Sequence, residues 1–166
     1  MSLEQDIRHS KFRNEWQKAM INLTYTHSWV NERFKRMLDA FDITPQQFNI
    51  LRILRGAKDP ISTFQIRERM LDKMSDTSRI VDRMVAKKLV VKKVCRHDKR
   101  RLDIGISAKG LQVLEEIDRL EGNMDAIMQG LDDADARALN ELLDKLRSLE
   151  PEWFQQVNQN HPAVGM

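Results

Sequence analysis

The sequence predicts a mainly α-helical chain with one small β-hairpin, and three observations carry that expectation. Apolar residues recur every three or four positions over most of the length, and only past residue 90 does the period change to two. Across 166 residues, charged side chains make up 32% and aromatic ones 6%, with 41% hydrophobic. That balance suits helical surfaces around a real core and does not suit an all-strand sandwich.

The first long helix is predicted from Phe12, Trp16, Met20, Leu23, Val30, Phe34, Met37 and Phe41, nearly all three, four or seven positions apart. Ile21, Tyr25 and Trp29 run along another face at steps of four, so this helix has more than one neighbour to cover. His27 falls on the main stripe, among Leu23, Val30 and Phe34, and is expected partly buried. The next helix starts at Thr44-Pro45-Gln46-Gln47, where Thr44 caps, proline suits the first turn and Gln47 reaches back. Gly56 and the Lys58-Asp59-Pro60 turn end it.

Ser62 with Gln65 repeats the capping signal, and Ile66 and Met70 give a short helix its core edge. A third helix begins near Ser75, with Ile80, Val81, Met84 and Val85 on its apolar side and Ser75, Arg79, Asp82, Arg83 and Ala86 opposite. Then Val90-Val91-Lys92-Lys93-Val94 and the alternating Leu102, Ile104, Ile106 read as two antiparallel strands joined by Arg96-His97-Asp98-Lys99-Arg100-Arg101. Ser107 caps the next helix, whose stripe runs from Leu111 through Leu114, Ile117, Leu120 and Met124 to Ile127. After Gly130 a last helix, capped by Asp132, carries Leu139, Leu142, Leu143, Leu146 and Leu149 until Pro151 stops it. The rest is a polar tail.

Charge is distributed unevenly. From Lys87 to Arg101 eight basic residues face one acid, a local charge of +7 with His97 neutral, whereas Ser107 to Glu150 holds eleven acids and five bases, a local charge of −6. The first stretch attracts polyanions and the second repels them. Three helices followed by a basic hairpin are the order of a winged helix-turn-helix, in which the last of the three helices enters the DNA major groove and residues near its amino end meet base edges. The expected fold is therefore a winged helix-turn-helix over 42–106, flanked by long N- and C-terminal dimerisation helices over 1–41 and 107–150, with a tail over 151–166. Candidate DNA contacts are Ser75, Asp76, Thr77, Ser78, Arg79 and Arg83 on the helix and Lys99, Arg100 and Arg101 on the wing. Lys92 and Lys93 fit either a solvated face or phosphate contact. Terminal helices with apolar stripes and few partners in one chain point to a homodimer.

Several stretches carry a resemblance: Ser75-Asp76-Thr77-Ser78-Arg79-Ile80-Val81-Asp82-Arg83-Met84, then Lys88-Leu89-Val90, Asp98-Lys99-Arg100-Arg101 and Ile106-Ser107-Ala108-Lys109-Gly110. Together, across roughly 42–110, they resemble the MarR (multiple antibiotic resistance regulator) family of transcription factors. The resemblance implies an obligate homodimer of the first and last helices, a pseudo-palindromic double-stranded DNA operator, repression, and often release of DNA by a small aromatic or phenolic effector. By position Arg100 looks like the family's wing-tip arginine that enters the minor groove, and Asp98 like the aspartate that positions it. Asp76 departs from the pattern, standing where many members have threonine or serine, and either accepts from a cytosine amino group or stabilises the helix amino end. Trp16, Met20, Tyr25 and Trp29 are candidates for the effector cleft that members form, and so is His27, for which a core or interface role is the first expectation.

No catalytic pairing of nucleophile and base, no phosphate-cradling glycine loop and no metal-ligand spacing among His9, His27, His97, His161 and Cys95 is visible, so neither an enzyme nor a cofactor is expected. Cys95 lies on a strand, whereas peroxide-sensing members carry theirs in the first helix, so a structural role is expected of it. No apolar run approaches the roughly 18 residues of a membrane span, and the opening MSLEQDIRHS lacks a signal peptide's apolar core, so the expected compartment is the cytoplasm. Two other uses fit the same element order: sequence-neutral DNA packaging, and a winged helix that contacts protein.

Overall fold

A computed structural model describes residues 2–8, 11–94 and 102–149 of the chain. The elements run α1 (Leu3–Asp6), α2 (Glu15–Asp39), α3 (Pro45–Gly56), β1 (Ile61–Ser62), α4 (Thr63–Arg69), α5 (Thr77–Ala86), β2 (Val90–Val94), β3 (Leu102–Ile106), α6 (Ala108–Asp118), α7 (Glu121–Asp125), a 3-10 turn (Ala126–Met128) and α8 (Asp133–Arg147). They fall into two compact units, Met1–Ile127 and Met128–Met166.

In the first unit, side-chain caps set where the helices start, because the first N–H groups of a helix have no partner of their own. Thr44 and Gln47 form a reciprocal box, the Gln47 amide donating to Thr44 Oγ1 at 3.2 Å and the Thr44 amide to Gln47 Oε1 at 3.1 Å, with Pro45 in the first turn. Ser62 and Gln65 repeat it at 2.9 and 3.2 Å. At the other end, α2 stops because Asp42 turns left-handed (φ 52°) and the Ile43 amide reaches back to the Leu38 carbonyl, which buries Ile43.

One contiguous core, including Leu38, Phe48, Leu51, Ile66, Met84, Ile104 and Leu114, joins α2 to α6. Ile50, Leu51, Ile66, Met84, Leu114 and Ile117 are fully buried, as the apolar stripes of α3 to α6 require. Strand β2 leaves this core after Val90, its remaining four residues being exposed.

Four local features differ from the sequence expectation. A short α1 precedes the long helix, which starts at Glu15 with Asn14 as its cap (2.9 Å from the Gln17 amide), so Phe12 lies before it. The sheet has three strands in the order β1-β3-β2, because Ile61 and Ser62 pair antiparallel with Ile104 and Asp103; two residues are too few to show alternation. The helix expected from Ser107 to Ile127 is broken at Arg119–Leu120, where the Leu120 amide bonds the Ile117 carbonyl at 2.8 Å in a tight turn before α7. His27, expected partly buried, is exposed.

In the second unit Asp132 caps α8, its Oδ1 accepting from the Ala134 and Asp135 amides at 2.8 Å each. Leu142, Leu146 and Leu149 on this helix are 64, 61 and 83% exposed. Among the described residues, no helix is long and apolar enough to cross a membrane.

Candidate nucleic-acid interface

The 3.6-residue period divides α5 sharply. Ile80, Val81 and Met84 are buried, while Ser78, Arg79, Asp82, Arg83 and Ala86 are exposed on the other side. Asp76 is the N-cap: its Oδ1 accepts from the Arg79 amide at 3.1 Å, and its Oδ2 lies 3.2 Å from Arg79 Nε. Of the two roles left open for Asp76, the geometry described is the cap. Arg83 Nε donates to the Arg79 carbonyl at 3.3 Å, which lays its side chain along the exposed face.

Thr77 corrects the sequence expectation. It is only 4% exposed, because the first residue of α5 points at the core beside Ile80 and Val81, and its hydroxyl donates to the Ser75 carbonyl at 3.4 Å. A buried threonine has no face to offer DNA. Ser75 is half-buried, and its hydroxyl donates to Asp72 Oδ2 at 2.5 Å. Asp98, Lys99, Arg100 and Arg101, with Cys95, Arg96 and His97, lie outside the described residues.

What joins α5 to the hairpin is well defined. Lys88 is left-handed (φ 61°), and the Leu89 amide bonds the Met84 carbonyl at 2.9 Å, closing the helix and directing the chain into β2. Ser107, leaving β3, returns to the same place: its amide donates to the Leu89 carbonyl at 3.1 Å and its hydroxyl to the Lys88 carbonyl at 2.7 Å. Gly110 packs so closely here that a Cβ would lie 2.3 Å from the Leu89 carbonyl oxygen. Lys92 of β2 forms an ion pair with Asp82 of α5 at 2.7 Å, a link that no local spacing in the sequence announces.

Two cavities flank the lead-in to α5. The smaller, about 250 Å³, is lined by Thr44, Gln46, Gln47, Ser75, Asp76, Ile80 and Arg83. The larger, about 800 Å³, is lined by His27, Asn31, Phe34, Pro45, Gln46, Phe48, Asn49, Arg52, Met70, Leu71 and Asp72. Phe34 and Phe48 meet edge to face there, with centroids 5.4 Å apart, and the Arg52 guanidinium lies 5.8 Å from the Phe48 ring.

Of the five residues expected in an effector cleft, only His27 lines this cavity. Trp16, Met20, Tyr25 and Trp29 do not, and they are 82, 64, 37 and 37% exposed. Tyr25 and Trp29 lie on another side of α2 from His27, Asn31 and Phe34, whereas Trp16 and Met20 share their side and stand nearer the amino end of the helix. Phe48, Arg52, Met70 and Asp72 were missed as cavity residues because they are brought there from α3 and the turn after α4, and sequence spacing carries no such signal. Among the described residues, no group of three His, Cys, Asp or Glu side chains could hold a metal ion.

A family model described as MarR family matches residues 41–101. No curated protein sequence matches the chain. Solved structures do match by fold. A mutant of MarR from E. coli complexed with operator DNA aligns with TM-score 0.74 at 22% identity, over 83% of this chain and 99% of that one. The S. aureus MepR–DNA complex aligns with TM-score 0.67 at 22% identity, over 83% and 98%. Bordetella bronchiseptica BpsR, whose DNA binding is regulated by 6-hydroxynicotinic acid, aligns with TM-score 0.65 at 20% identity, over 78% and 98%. Residues 41–101 thus match the model of the MarR family, and the chain shares its fold with these solved proteins over about four fifths of its length.

Proposed function

We propose that the chain is a transcriptional regulator that reads an inverted-repeat DNA operator as a homodimer and acts as a ligand-responsive repressor. One observation carries the DNA reading: α5 exposes Arg79 and Arg83 on a polar face while its opposite face is buried, and the segment from Lys87 to Arg101, with a local charge of +7, follows directly. The match of 41–101 to the MarR family supports the same function. In this account Ser78, Arg79 and Arg83 meet the major groove, Ser75 and Asp76 set the helix start, and Lys99, Arg100 and Arg101, with Asp98 positioning the tip, reach the adjacent minor groove or its phosphates.

Dimerisation is supported by apolar surface left open in each unit: Trp16, Met20 and Leu23 on α2, and Leu142, Leu146 and Leu149 on α8. A two-fold dimer sets two copies of α5 about one DNA turn apart and demands a palindromic site. The larger cavity supports ligand response. Its paired phenylalanines accept a ring, and His27, Asn31, Asn49 and Arg52 provide polar groups for a phenol or acid. The DNA binding of BpsR, a neighbour in fold, is regulated by 6-hydroxynicotinic acid.

The test is substitution on a duplex enriched from a random pool. Arg79→Ala should cost roughly 1–3 kcal/mol there and relax specificity at one base position in each half-site. Arg100→Ala should weaken binding while the dimer persists in sedimentation. A uniform loss on every sequence would assign Arg79 to phosphate, and full-strength binding by folded Arg100→Ala would reject the wing assignment.

A further inference from the structure

We infer that Asp72 is a positioning residue that couples the larger cavity to the start of α5, so that filling the cavity is felt at the DNA-facing helix. This rests on the DNA-reading function proposed above and names the path by which that function is regulated.

Asp72 forms part of the larger cavity's wall, which Met70, Leu71, His27 and Arg52 also line. Its carboxylate also holds the lead-in to α5: Oδ1 accepts from the Met74 amide at 3.0 Å, and Oδ2 accepts from the Ser75 hydroxyl at 2.5 Å. Ser75 and the cap residue Asp76 line the smaller cavity, on the α5 side, together with Arg83. One side chain therefore lines one cavity and holds a residue that lines the other.

Besides Asp72, a few bonds hold the segment, among them Lys73 Nζ donating to the Glu68 carbonyl and the Thr77 hydroxyl donating to the Ser75 carbonyl. Met70 is its buried anchor, and the Leu71 amide donates to Asn49 Oδ1 at 3.0 Å, but Leu71 and Met74 are 88 and 93% exposed. A short stretch held by a few polar bonds, with its apolar side chains in water, rearranges at low cost. The bond from Ser75 is the strong one, an O–H donating to an ionised carboxylate. Bonds from Ser75 and the Met74 amide also hold the Asp72 carboxyl below its ordinary pKa, so it stays ionised through the neutral range. An occupant that bonds Asp72 or displaces Leu71 takes the carboxylate from Ser75, and the lead-in to α5 loses one of the contacts that hold it. Two arrangements of one segment then bias both sites, which is what coupling requires.

The experiment uses the full-length chain, an enriched operator duplex, a scrambled duplex and a cavity-filling substitution in place of a ligand. Asp72→Ala and Ser75→Ala should each weaken operator binding about tenfold, the scale of one lost charge-assisted hydrogen bond, with the double variant no weaker than either alone. Scrambled-duplex affinity should stay within about twofold, since the phosphate contacts are untouched. Asn31→Trp, which fills the cavity from α2, should weaken operator binding in the wild-type background and have no further effect on Asp72→Ala. Should Asp72→Ala fail to fold, Asp72→Asn removes the charge at nearly constant shape and carries the same comparison. Operator binding at wild-type strength by folded Asp72→Ala, or an undiminished effect of Asn31→Trp on that variant, overturns the coupling alone. A wild-type chain with no operator preference overturns the proposed function, and the coupling with it.

Discussion

Lys92 Nζ lies 2.7 Å from Asp82 Oδ1, and this ion pair ties the first strand of the wing to the exposed face of α5. The sequence left Lys92 either solvated or bound to phosphate, and the structure gives it a third role. The pair also masks an acid on the face proposed to meet DNA. Both side chains are substantially exposed, so the pair adds little to stability, in the range of about 0–1 kcal/mol.

Asp82→Asn should therefore leave the denaturation midpoint almost unchanged while releasing Lys92 and removing one repulsive charge. Affinity for any duplex should rise, and the slope of log K against log salt should steepen by about one. Fluorescence anisotropy titrations over a salt series measure both. An unchanged slope would mean that the freed lysine does not reach a phosphate.

Gly110→Ala should destabilise the chain by about 1–3 kcal/mol, because the new Cβ would sit 2.3 Å from the Leu89 carbonyl oxygen, a backbone atom that cannot swing away. Urea denaturation checks this. The glycine in the Ile106-Ser107-Ala108-Lys109-Gly110 stretch thus has a steric reason: α6 begins against the turn that launches the wing.

Lys88→Gly should stabilise by about 0.5–1 kcal/mol, since Lys88 holds the left-handed position (φ 61°) that closes α5, where a Cβ carries a steric cost. A lowered urea midpoint would show that the lysine side chain contributes more than its backbone conformation costs.

Arg55 and Asp118 join α3 to α6 through two hydrogen bonds, and the guanidinium, as the main cause, holds the Asp118 carboxyl below its ordinary value. The folded chain then binds fewer protons here than the unfolded chain. The stabilisation is complete above the ordinary carboxylate value of about 4 and is lost as pH falls through the lower folded-state value. Urea midpoints between pH 6 and 3 should fall less steeply for Asp118→Asn than for the wild type. Parallel curves would contradict the assignment.

The sequence made legible whatever is decided locally. The caps at Thr44, Ser62, Ser107 and Asp132, the apolar stripes and the change of period at Val90 each follow from neighbours a few residues apart, and α3, α4, α5, α8, the start of α6 and both wing strands stand where those signals put them. Less visible was everything that depends on chain segments meeting in space. Two-residue β1 exists only because β3 comes alongside it. Thr77 looked like a contact residue because it sits at the amino end of α5, yet the packing of that first turn buries it. The cavity draws one wall from α2 and the rest from α3 and the turn after α4, so spacing along α2 pointed to His27 but not to Phe48, Arg52 or Asp72.

The most direct test of the central claim is selection of bound sequences from randomised duplex DNA, followed by affinities for the enriched and a scrambled duplex at physiological salt. An inverted repeat, with half-sites about one helical turn apart and a preference of roughly a thousandfold or more, is the predicted result. Equal affinity for both duplexes, or no enriched motif, would contradict an operator-reading regulator and favour sequence-neutral binding or a role that does not involve DNA.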